Sequence, residues 1–73
     1  MSALSDKVIA ISKPYFGPAT EKFLIRQCAH LNIEVTAIEP SHLPKLAEWV
    51  NRSGKMIMDP AKASEVADKI ARL

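Results

Sequence analysis

The sequence predicts an all-α domain, a small bundle of four helices. Three observations carry that expectation. Leu4, Val8, Ile11 and Tyr15 repeat at spacings of four, three and four. On a helix of about 100° per residue they cover an arc of only about 60°. The last segment, MDPAKASEVADKIARL, opens on Asp59-Pro60 and then sorts apolar and charged residues onto opposite sides. Between these two, the stretches beginning at Pro18 and Ser41 carry apolar residues at helical spacing.

In chain order, the first helix is expected to run to Ser12-Lys13 and to stop at Pro14, whose ring clashes with the preceding turn. Gly17 then supplies a permissive backbone, and Pro18 occupies the first position of the next helix. KPYFGP therefore reads as a corner, with Tyr15 and Phe16 plugging the gap between two helices. In PATEKFLIRQCAHL, the second helix, Leu24, Cys28 and Leu31 centre an apolar face with Phe23 and Ile25 at its edges. Lys22, Arg26 and His30 step by four along the other side. In SHLPKLAEWVNRSG, the third helix, Leu43, Leu46, Ala47 and Val50 share a face and Trp49 flanks it. Ser41 is a candidate N-cap, Pro44 fits the first turn, and Gly54 suits a left-handed C-terminal stop. The fourth helix starts from Asp59 as N-cap with Pro60 at its first position. It puts Ala63, Val66, Ala67, Ile70 and Leu73 on one arc, opposite Glu65, Asp68, Lys69 and Arg72.

An alternative fold is an α/β domain with a three-stranded parallel sheet and three helices. Its strands would be VIAI (8–11), IEVTAI (33–38) and KMIM (55–58). A short apolar run does not by itself separate a buried strand from a helix. The helical reading is preferred because a strand at 8–11 has apolar groups on both faces and needs cover on both. A bundle buries one stripe per helix and leaves no sheet edge.

The chain has 73 residues, one small domain's worth, with no internal repeat and no linker. A domain of this size buries only about 60% of the surface its unfolded chain exposes. With one cysteine there is no internal disulfide, so oligomerisation is the natural source of extra stability. At 48% apolar and 25% charged residues the balance is that of a folded domain, not a disordered one. The net charge of +2 arises wholly in residues 1–31, which carry four bases and two acids against six of each in 32–73. So small an excess points only weakly to nucleic acid. There is no transmembrane run, and MSALSDKVIAIS does not read as a signal peptide, so a cytoplasmic protein is expected.

Catalytic and metal constellations are not expected. Cys28, His30 and His42 are candidate zinc ligands by type, but residues 28 and 30 of one helix point about 200° apart. Cys28 at the centre of an apolar face reads as buried and inert. Lys22, Arg26 and His30, extended by Lys7 and Lys13, form the best basic edge for an anionic partner. No recognition helix rich in Arg, Asn or Gln accompanies it, so a solvated helix face is favoured over nucleic acid. In the α/β alternative, the Lys13–Pro18 loop would lie at the end of the first strand, with Lys13 contacting an anionic ligand. Its two prolines remove N–H donors that a phosphate cradle needs.

The stretch YFGPATEKFLIRQ, a Gly-Pro corner followed by an amphipathic helix, resembles one in small uncharacterised bacterial proteins. Comparable helical segments occur as tails on bacterial signalling proteins. LPKLAEWV followed by AKASEVADKIARL looks like the rest of such a unit. The resemblance covers most of the chain and implies a compact helical domain without known catalysis; it transfers no functional residue.

The expected function is accordingly that of a non-enzymatic, cofactor-free protein–protein interaction module, self-associating as a homodimer or docked on a larger protein. Trp49, Met56 and Met58, with Tyr15 and Phe16, would form an apolar patch rimmed by Lys22 and Arg26.

Overall fold

A computed structural model describes residues 3–73, and the class is all-α: no strand occurs among the described residues. Helix α1 spans Ala3–Phe16 and α2 spans Thr20–His30, joined by a 3-10 turn at Gly17–Ala19. Two further 3-10 turns, Val35–Ala37 and Pro40–His42, lead into α3, Leu43–Gly54, and α4 is Pro60–Ala71. The three segments that the sheet alternative needed are all something else. Residues 8–11 lie within α1, residues 33–38 are a connection with a 3-10 turn, and residues 55–57 form the α3–α4 turn.

The Gly-Pro corner exists, but it lies later than the sequence predicts. Pro14 does not stop α1; the helix runs through it to Phe16. Proline there forfeits one intrahelical hydrogen bond only two residues from the end, where little helix remains to be disrupted. Both residues after it are anchored. The Phe16 ring stacks on Phe23 at 4.0 Å, and the Tyr15 hydroxyl donates to Glu65 Oε2 at 2.6 Å. The break falls at Gly17, whose φ of +58 only glycine adopts without strain. Pro18 sits in the 3-10 turn, and α2 begins at Thr20, whose hydroxyl donates back to the Gly17 carbonyl at 2.6 Å. Only the 3-10 turn Gly17–Ala19 separates α1 from α2, so the two helices meet at a tight corner with no extended loop between them.

α3 and α4 form the tightest pairing. α4 starts as expected, with Asp59 Oδ1 accepting from the Ala61 N–H at 3.1 Å. Ser41 does not cap α3; it lies in the 3-10 turn Pro40–His42, where the Glu39 N–H donates to His42 Nδ1 at 3.0 Å instead. Gly54 is not a left-handed stop either. It is the last residue of α3 with no positive φ, and it is buried against α4. A Cβ placed on it would stand 3.0 Å from Ala63 Cβ. Glycine is there to let the two helices approach.

The core joins Val8, Leu24, Cys28, Leu43, Leu46, Val50, Val66 and Ile70, so every α-helix contributes. Ile38 completes it from the 33–39 connection at 2% exposure, with its N–H directed at Ser5 Oγ of α1 at 3.4 Å. A segment rich in Val, Ile and Thr is thus used as a plug, not a strand. On α4 the expected arc holds as far as Ile70; Leu73 lies beyond the helix end and is exposed. Gln27, expected on no apolar face, is buried because the Ser53 hydroxyl donates to its Oε1 at 2.8 Å, linking α2 to α3. Among the described residues no helix is long and apolar enough to cross a membrane.

Candidate functional site

The residues singled out from the sequence occupy three settings. Trp49 is half-buried on α3. Its ring stacks on His30 of α2 at 3.8 Å with the planes 6° apart, and the Arg52 guanidinium lies 5.3 Å from the ring centre. His30 is exposed on α2, as are Lys22 and Arg26, and one face of its ring is covered by Trp49. Phe16 is half-buried against Phe23 at the Gly17 corner. Tyr15 and Met58 come together in the third setting, a cleft of about 560 Å³.

That cleft runs between α1 and α4. Ala10, Ile11, Pro14 and Tyr15 line it from α1; Lys62, Glu65 and Lys69 line it from α4, and Met58 from the turn. The long α1 helix creates it: because the helix continues through Pro14, Tyr15 reaches α4. The Tyr15 hydroxyl bonds Glu65, while Lys69 Nζ sits 5.2 Å from the Tyr15 ring centre. The hydrogen bond from Tyr15, aided by the charges of Lys62 and Lys69, holds the Glu65 carboxyl below the usual glutamate range. Apolar and charged groups thus share one open cleft with a net positive rim.

Beside it stands the α3–α4 turn. Met56 is 86% exposed and Ile57 65%, the two most exposed large apolar side chains among the described residues. Their backbone is nevertheless held: the Met56 N–H donates to Ser53 O at 3.2 Å, Ile57 to Gly54 O at 3.1 Å and Met58 to Gly54 O at 2.9 Å. The fold gains nothing from apolar side chains pointing into water at these positions. The sequence pattern singled out Met56 and Met58 by residue type and passed over Ile57 between them. A usable signal was present: three large apolar residues between the end of one helix and the Asp-Pro start of the next.

Cys28 is fully buried, and burial pushes its thiol up, away from the reactive thiolate. No three His, Cys, Asp or Glu side chains converge on a possible metal site among the described residues. The Lys13–Pro18 segment is not a strand-to-helix loop; Lys13 and Pro14 lie in α1 and Pro18 in the 3-10 turn. A smaller apolar depression of about 310 Å³ lies beside α2, lined by Ile25, Ala29, Ile33 and Val35 among others. Comparison of the chain with protein families, with curated proteins and with solved structures finds no match.

Proposed function

We propose that this chain is a non-enzymatic interaction module, a small helical bundle that docks a protein through the α3–α4 turn. The observation that carries this reading is the outward projection of Met56 and Ile57 from a hydrogen-bonded turn. With the turn backbone already hydrogen-bonded, the ordering cost of binding falls on the side chains, and methionine adapts its shape to an irregular partner. The neighbouring cleft adds apolar surface from Ile11 and Pro14 and a charged rim for orientation. Relative to the sequence expectation, the centre of the patch moves. Met56, Met58 and Tyr15 stay in it, Ile57 joins it, and Trp49 and Phe16 serve packing. A role in bacterial signalling or regulation is in keeping with the resemblance of the sequence to signalling-protein tails.

The test is photo-crosslinking in the producing cell, with a benzophenone side chain at position 57 and a control at position 45, exposed on α3. Capture of a protein from position 57 and not from position 45 is expected. Absence of any specific capture from position 57 would remove the reading.

A further inference from the structure

Resting on that reading, we propose that the protein docked at the turn is a second copy of this chain. In the two-fold pair, the Met56–Ile57 turn of each copy sits in the α1–α4 cleft of the other. Three features argue for it.

The first is position. Met58 lines the cleft, and Met56 and Ile57 directly precede it in the chain, so the projection lies beside the cleft. A two-fold axis beside Met58 brings each projection over the partner's cleft, as an isologous interface requires. The second is chemistry. The cleft offers apolar lining from Ala10, Ile11 and Pro14 to the apolar pair on the turn. Its rim carries Lys62, Glu65 and Lys69, while the turn is flanked by exposed Lys55 and Asp59. Lys55 can face Glu65, and Asp59 can face either cleft lysine, so both signs are matched by the same surface turned on itself. The third is size. A standard interface takes about 800 Å² from each partner, a sizeable share of the 4558 Å² of this molecule. The proposed contact uses one turn and one cleft from each copy, and we take the dimer to be weak and concentration-dependent.

The experiment is sedimentation velocity together with backbone amide shifts, following the purified full chain from low millimolar to low micromolar concentration. A monomer–dimer equilibrium is expected, with dilution shifts confined to residues 10–15, 55–58 and 62–69. Met56→Ser/Ile57→Ser should raise the dissociation constant by roughly tenfold or more, the effect of losing about 1.4 kcal/mol of contact. It should leave helicity unchanged, and also the Tm measured at low micromolar concentration, where the chain is monomeric. Lys55→Glu, which sets like charges against Glu65, should also weaken the dimer, while leaving the turn backbone intact. A folded chain that stays monomeric at millimolar concentration overturns the proposal. So does a dimer whose shifts fall on Ile25, Ile33 and Val35. In either case, specific capture of a different protein from position 57 would keep the module reading and reject the second copy. No capture at all would reject both.

Discussion

Gly54→Ala separates two opposing effects at the α3–α4 crossing. Local propensity favours the substitution: alanine is better than glycine within a helix by about 1 kcal/mol. Packing opposes it. The new Cβ would stand 3.0 Å from Ala63 Cβ, inside ordinary contact, and only 3.6 Å from Ala63 Cα. Neither atom belongs to a flexible side chain, so relief requires α3 and α4 to move apart. Overpacking of this kind costs about 1–3 kcal/mol. The packing cost exceeds the propensity gain, and a net loss of about 1 kcal/mol is expected. For a domain of this size that is a fall in Tm of about 4–8 °C. Urea denaturation and calorimetry of Gly54→Ala, Ala63→Gly and the double variant measure it. In the double variant the clash is gone, so its destabilisation should fall short of the sum of the singles by about 1 kcal/mol or more. If Gly54→Ala is stabilising, and the pair is additive, the helices do not approach as described and the reasoning is refuted.

Three other substitutions probe separate parts of the fold. Ile38→Ala should cost about 2–5 kcal/mol, as for any large buried aliphatic residue, because Ile38 closes the core; a loss below about 1 kcal/mol in urea denaturation would place it outside. Ser12→Ala should stabilise by about 1 kcal/mol, since it removes a buried hydroxyl with no hydrogen-bond partner and installs a better helix former. A loss of stability there would reveal an unseen partner for Ser12. Tyr15→Phe should raise the Glu65 titration toward the usual glutamate range, followed by carboxyl carbon shifts in NMR. Because the folded-state value is depressed, the Tyr15–Glu65 contribution is present above the unfolded value and is lost as pH falls through the folded one. Wild type and Tyr15→Phe should therefore differ at neutral pH and converge in acid. A Glu65 titration unmoved by the substitution would contradict the hydrogen bond.

The parts of this structure that were legible in the sequence are those governed by local chemistry. Asp59-Pro60 announces α4, and the spacing of Leu43, Leu46, Ala47 and Val50 gives the buried face of α3. Three features were not legible, each for a physical reason. The run Ile33–Ile38 has the composition of a strand, but no other strand exists among the described residues to pair with it. It is used to bury Ile38 instead. Pro14 usually ends a helix, and it fails to here because Tyr15 and Phe16 find partners fifty and seven residues away. Gly54 carries the same letter whether it frees the backbone or makes room, and only Ala63 across the crossing decides between them. The candidate site follows the same division. Met56 and Met58 could be named from residue type. The cleft beside them could not, because it depends on α1 reaching α4, and the stacking of His30 on Trp49 joins residues on two helices.

The proposed pairing of two copies through the α3–α4 turn is the most direct thing to test. Isotope-filtered NOEs in a mixture of labelled and unlabelled chains read it directly. Contacts from the Met56 methyl of one copy to Ile11 and Tyr15 of the other are predicted. Their absence at millimolar concentration, or intermolecular contacts centred on Ile25 and Val35, would contradict it.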